Sequence, residues 1–96
     1  MGTLEFLKAR REHILATAGR HGAVNVRVFG SVLRAVETPE SDIDLLVEFA
    51  PDRSLLDLVG LRIDLETLLG RRTDVVTEAS LSPYLRDRVL LEARPL

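Results

Sequence analysis

The chain has 96 residues, 46% hydrophobic and 29% charged, with a formal net charge of −2. That suits a single domain over residues 1–96 with one modest core, and it lacks the basic excess by which a protein grips a nucleic-acid backbone, so no nucleic acid is expected as a partner. With no cysteine, no run long enough to span a membrane and no secretory h-region, the expected setting is the reducing cytoplasm, without disulfides, thiolate metal sites or a membrane partner.

Thr3 to about His21 reads as one amphipathic helix. Leu4, Leu7, Ile14, Leu15 and Ala18 lie near one stripe, Thr3 is the expected N-cap and Gly22 the stop. His13 and His21, the two histidines, are too isolated for a metal site and read as surface or helix-end residues. Val24 to Phe29 is β-rich and becomes the first strand, ending at Gly30-Ser31. Glycine lets a ligand approach the backbone closely, and a short helix from Ser31 to about Val36 would turn free N–H groups toward an anion. Arg34 on that helix could add charge to an anion site or simply be solvated.

Glu37 to Ser41, including Thr38-Pro39-Glu40, forms a loop, and Asp42 to Phe49 is the second strand. Strand side chains alternate, so Asp42 and Asp44 share one face while Ile43, Leu45 and Val47 share the other. The near-continuous run Leu45-Leu46-Val47 implies burial on both faces. Two like charges side by side invite a hard divalent cation, most often Mg²⁺. The short connection makes the first two strands antiparallel neighbours, which sets Ser31 beside the two carboxylates.

Ser54 caps a helix from Leu55 to Leu69, in which Leu58, Leu61, Leu65 and Leu68 face the sheet and Gly60 has no evident role; Gly70 ends it. Arg71 to Thr77 is a third strand. A right-handed crossover makes it parallel to the second, so Asp74 approaches Asp42 and Asp44. The alternative is a strand-edge Asp74 satisfied by Arg71 or Arg72. Ser82-Pro83 starts a last helix, Tyr84 to about Ala93, with Leu85, Val89 and Leu90 facing the core, Leu81 stapling its start and Tyr84 at the core's edge. Leu91, Pro95 and Leu96 are expected to be exposed, as part of a partner surface or as ordinary scattered apolar residues, and Tyr84 could alternatively touch a base or a partner.

Gly30-Ser31, a spacer of about ten residues and Asp42-Ile43-Asp44 together resemble the signature of the DNA-polymerase-β-like nucleotidyltransferase superfamily. Across most of its length the chain is similar to the minimal nucleotidyltransferase (MNT) proteins, many of which are antitoxins of HEPN-domain toxins. It departs from the common GSRARG form at Val32 and Ala35 and keeps Arg34. The resemblance implies an α/β (α+β) fold: a polymerase-β-like core with a small mixed sheet of about three strands and helices mainly on one face. It implies transfer of AMP from ATP to an acceptor hydroxyl. Asp42, Asp44 and Asp74 would hold two Mg²⁺ ions and act catalytically, Gly30, Ser31 and Arg34 would bind the nucleotide, and Asp74 would help deprotonate the acceptor. Because little of the chain lies outside the catalytic core, acceptor recognition is expected from a partner surface: a tyrosine of a cognate HEPN toxin, with which the chain would assemble as antitoxin. Two alternatives stay open, an antitoxin that neutralises by binding alone and transfer to a small molecule.

Overall fold

The computed structural model describes residues 2–34 and 41–96. In chain order the elements are α1 (Thr3–Ala9), α2 (Arg11–Arg20), β1 (Ala23–Phe29), α3 (Ser31–Arg34), β2 (Ile43–Phe49), α4 (Leu55–Leu69), β3 (Thr73–Val76), a 3₁₀ turn (Glu78–Ser80), α5 (Pro83–Glu92) and β4 (Arg94–Pro95). The loop expected through Thr38-Pro39-Glu40, the helical continuation to Val36 and the departure at Ala35 lie outside the described residues. No helix among the described residues is long and apolar enough to cross a membrane.

The sheet has the order β3-β2-β1-β4. β1 and β2 are antiparallel, with Phe29 opposite Asp44. β2 and β3 are parallel, with Asp44 opposite Asp74. α4 is the crossover between them, as a parallel pair requires. Where three strands were expected there are four: Arg94–Pro95 pairs antiparallel with β1, and the Leu96 N–H donates to the Val26 carbonyl at 3.1 Å. A two-residue strand has no alternation to read, and its proline is tolerated because it lies at the sheet edge. Leu96 is correspondingly packed against the core rather than exposed.

β2 is buried on both faces. Ile43, Leu45 and Val47 join Val26, Val28, Ile14 and Leu61 in the main core. Leu46 points the other way and is covered by Val89 and Ala93. Covering a side chain of that size stabilises by about 1.5–3 kcal/mol, which is why α5 lies on the face opposite α1, α2 and α4. The helices thus lie mainly on one face, as expected, with α5 alone of the longer ones on the other. β1 reaches the main core through a bulge. Its register with β2 slips by one residue between Val24 and Arg27, and Asn25 takes φ 54°, a conformation asparagine tolerates better than most residues. The slip lets Ala23, Val26 and Val28 all face the same core.

The N-terminal segment is two helices rather than one. Arg10 leaves helical geometry at φ −107°, ψ 14°, and its guanidinium lies over the Phe6 ring, 3.8 Å from the centroid. The elbow lets α1 fold onto α3 while α2 lies against β1 and α4, so that Leu7 and Ile14 are both fully buried. Thr3 does not cap α1. Gly2 holds that position without a side-chain bond, and Thr3 Oγ1 accepts from Arg71 Nη1 at 2.7 Å.

α4 has the expected cap: the Leu56 N–H donates to Ser54 Oγ at 3.2 Å and the Ser54 N–H to Asp57 Oδ2 at 2.9 Å. That backbone bond from Ser54 is the main reason the Asp57 carboxyl lies below its ordinary pKa. Gly60 proves to be a packing residue. A Cβ there would lie 2.9 Å from His21 Cε1. His21 is therefore no free surface group; its Nε2 is 2.7 Å from Asp64 Oδ2, tying α2 to α4. His13 is exposed, as expected.

Candidate active site

Strand period and strand order meet at one place. The C-terminal end of β1 and the N-terminal ends of β2 and β3 lie side by side, in the registers Phe29–Asp44 and Asp44–Asp74. Asp44 and Asp74 are direct neighbours on parallel strands, whose backbones lie about 4.8 Å apart. Both project to the face that Leu46 shares, beneath α5. A cleft of about 280 Å³ opens there, lined among others by Gly30, Arg34, Asp44, Asp74, Arg88 and Glu92.

Gly30 takes φ +80°, and a Cβ built on it would overlap Asp44 Oδ2. The residue is thus required twice, by its left-handed backbone and by the carboxylate lying against it. α3 starts at Ser31, the Leu33 and Arg34 N–H groups donating to the Gly30 carbonyl at 3.1 and 3.2 Å. Val32 is buried in the main core. The departure from GSRARG at that position thus places a core side chain where the common form has arginine.

Asp44 is half-buried, and its pKa is raised from 3.8 to about 6. Burial is the largest cause, followed by the charges of Asp74 and Asp42; Arg34 opposes them and Glu92 adds a little. Arg34 gives limited relief because its Nη1 is 2.8 Å from Glu92 Oε1. Among the described residues Asp74 has no ion-pair partner: Arg72 lies against Asp42, Nε to Oδ1 3.5 Å, and Arg71 donates to Thr3 and Ser41. The alternative of an Asp74 satisfied by those arginines therefore finds no support.

A raised carboxyl binds its proton more tightly folded than unfolded. Its contribution to stability is therefore fullest below the unfolded value of 3.8 and is lost as pH rises through about 6. A shift of that size corresponds to at most about 3 kcal/mol, and solvent screening of a half-buried group reduces it to about 1 kcal/mol. Without divalent cations, the Asp44→Asn variant is accordingly expected to exceed the parent in stability by about 1 kcal/mol at pH 7.5. The gap should close toward pH 4. Calorimetric melting of both proteins in chelator across that range checks it, and a gap that widens on acidification contradicts it.

Of the residues singled out from sequence, Gly30, Arg34, Asp44 and Asp74 line the cleft, while Ser31 and Asp42 are not among its lining residues. Asp42 lies against Arg72, and no three acidic or imidazole groups among the described residues form a ready-made metal cage. That pair is exposed, and contacts of its kind are worth less than about 1 kcal/mol. Sequence reasoning missed the contribution of α5: Arg88 and Glu92 in the cleft, with Leu85 and Val89. Their spacing is helical and puts them on one face, but that face was assigned to the core. Leu85 is in fact half-exposed and Tyr84 almost fully exposed; Pro83 opens the helix as expected, without a side-chain cap from Ser82.

Residues 10–96 match the nucleotidyltransferase domain family. The solved structure of a candidate minimal nucleotidyltransferase is 55% identical and superposes with a TM-score of 0.87, covering 100% of this chain and 97% of that one. A candidate protein adenylyltransferase of Methanocaldococcus jannaschii is 49% identical over 74 residues, 77% of this chain and 80% of the relative. The protein adenylyltransferase MntA of Thermococcus cleftensis is 41% identical over 73 residues, 76% of this chain and 74% of the relative. In fold alone, the chain also resembles one chain of a complex between a tri-AMPylated Shewanella oneidensis HEPN toxin and an MNT antitoxin. That likeness has a TM-score of 0.69 at 20% identity and covers 92% of this chain and 69% of the other.

Proposed function

The chain belongs to the nucleotidyltransferase domain family, and on that premise we propose that it transfers AMP from ATP to a hydroxyl of a partner protein, a tyrosine of a cognate HEPN toxin, and so acts as its antitoxin. The observation that carries the reading is the register pair Asp44–Asp74, two neighbouring carboxylates facing a cleft and floored by a glycine that has no room for a side chain. The adenylyltransferase relatives support the nucleotide and the class of acceptor. The antitoxin complex of the same fold supports the kind of partner.

The donor set fits Mg²⁺. Asp44 is held above its ordinary pKa by burial and by the charges of Asp74 and Asp42, an excess of negative charge that a hard cation bound through oxygen relieves. Asp44 and Asp74 would hold the ion or ions, with Asp42 joining once it leaves Arg72. A cation held there would supply charge neutralisation for the triphosphate and for the charge that develops at its α-phosphoryl group.

The chain's own residues do the rest. Gly30 lets the phosphates come close to the backbone, and the first-turn N–H groups of α3, at Ser31 and Val32, lack intrahelical acceptors and can donate to them. Arg34 exchanges its bond to Glu92 for one to phosphate. Asp74, the more exposed of the adjacent pair, takes the proton of the acceptor hydroxyl. That oxygen then bonds to the α-phosphorus, the bond from the α-phosphorus to the bridging oxygen breaks, and pyrophosphate leaves.

The test is incubation with ATP labelled in its α-phosphate, Mg²⁺ and a candidate HEPN-domain partner protein from the same organism. Label on the partner, released as AMP-tyrosine on digestion, is the expected result. Stoichiometric complex formation without label would instead establish neutralisation by binding.

A further inference from the structure

α5 has two adjoining stripes. One holds Leu85, Arg88, Val89 and Glu92, which line the cleft above Asp44 and Asp74. The other holds Tyr84, Arg88 and Leu91, at the i, i+4, i+7 spacing of a single helix face. Arg34, Arg88 and Glu92 belong to the cleft and also to an open groove of about 610 Å³ along the outer stripe, lined as well by Tyr84, Asp87 and Leu91. The groove therefore runs into the cleft. Tyr84 is 94% exposed, Leu91 79% and Leu85 50%. Among the described residues Arg88 has no ion-pair partner.

From this we infer that the outer face of α5, Tyr84, Arg88 and Leu91, is the docking surface for the acceptor protein. It takes a segment that carries an apolar anchor and an acidic residue close to the acceptor hydroxyl. The inference rests on the proposed transfer to a protein hydroxyl and specifies where that protein binds. Three observations select this occupant. The groove is continuous with the cleft, so a segment lying in it can pass a side chain over Arg88 and Glu92 to Asp74. The unpaired guanidinium of Arg88 calls for an anion, and tyrosine and arginine are the side chains that most often dominate the energetics of protein interfaces. The other exposed apolar stripe, Leu55, Leu56 and Ile63, is on α4. α4 covers the opposite face of the sheet from Asp44, so a partner bound there presents no hydroxyl to the carboxylates.

The experiment measures calorimetric affinity for the same candidate HEPN-domain partner protein, label transfer to it, and ATP affinity without it. The parent is compared with two double variants, Tyr84→Ala with Leu91→Ala and Leu56→Ala with Ile63→Ala. All four side chains are at least half-exposed, so their truncation leaves the fold intact. The α5 variant should bind the partner at least about tenfold more weakly, which corresponds to about 1.4 kcal/mol, and show a raised KM for it, with ATP affinity unchanged. The α4 variant should match the parent. Added salt should weaken partner binding by the parent more than by Arg88→Gln. Undiminished partner binding by the α5 variant overturns the surface, as does a loss confined to the α4 variant, or no binding by the parent. Binding by the parent without label overturns the transfer reading alone, while weakened binding by the α5 variant then still upholds the surface.

Discussion

Asp44→Asn is expected to abolish transfer of AMP to the partner, a loss of about a thousandfold or more, in a protein that folds as well as its parent. The substitution keeps the shape of the side chain and removes one negative charge. Asp44 occupies the centre of the site, opposite Phe29 on one side and Asp74 on the other, and Gly30 leaves it the space it fills. Replacing a charged oxygen ligand by an amide at that point weakens the hold on a hard cation and the charge balance around the triphosphate. About 4 kcal/mol of lost transition-state stabilisation gives a thousandfold. The native carboxyl is disfavoured when ionised, so the metal-free variant should not melt below its parent near neutral pH. Label transfer and a melting curve in chelator read the two halves separately. Full transfer by the variant removes Asp44 from the chemistry, and a large fall in melting temperature makes it a structural residue.

Gly30→Ala is expected to damage stability and activity together, for two separable reasons. At φ +80° an alanine is strained, by about 1–2 kcal/mol for left-handed backbone. Its Cβ would also overlap Asp44 Oδ2 and lie 3.1 Å from Asp44 Cγ, so the carboxylate must move. Displacing a catalytic group by about 1 Å commonly costs about a hundredfold in rate. Gly70→Ala is the control: that residue has φ +68° with nothing near the missing Cβ. It should lose a similar 1–2 kcal/mol, by about the same backbone argument, and keep full transfer. Denaturant melts and label transfer on both variants decide the matter. Equal activity in the two would show that Gly30 serves the turn only and gives Asp44 no special room.

Much of the site was legible because it depends on local geometry. The strand period of two puts Asp44 on the face opposite Ile43, Leu45 and Val47 whatever the rest of the chain does, whereas Asp42 falls just before β2 and escapes that rule. The handedness of the crossover makes β3 parallel to β2 and brings Asp74 to the same end. Ser54 and Gly70 bounded α4 for equally local reasons, a hydroxyl for free N–H groups and a left-handed residue at the stop. The resemblance to nucleotidyltransferases rests on those same spacings.

Tertiary structure alone decided what depends on contacts between distant segments. Periodicity puts Arg88 and Glu92 on one face of α5, but not over Asp44; the need to cover Leu46 brings them there. Leu85 carries the apolar character of a core residue and Tyr84 that of the core's edge, and only the path of α5 leaves them in solvent, whereas the exposure of Leu91 was expected. Arg34 pairs with Glu92 across 58 positions of sequence, and Asp42 turns toward Arg72 rather than into the cleft. The bend at Arg10 and the edge strand Arg94–Pro95 likewise follow from packing against β1, α3 and α4. Local sequence determines the turn types, strand faces and caps because each involves a few neighbouring residues. The surroundings of the cleft were beyond it because burial is a property of the assembled layers, and one helix pattern can serve as core, as cleft wall or as open surface.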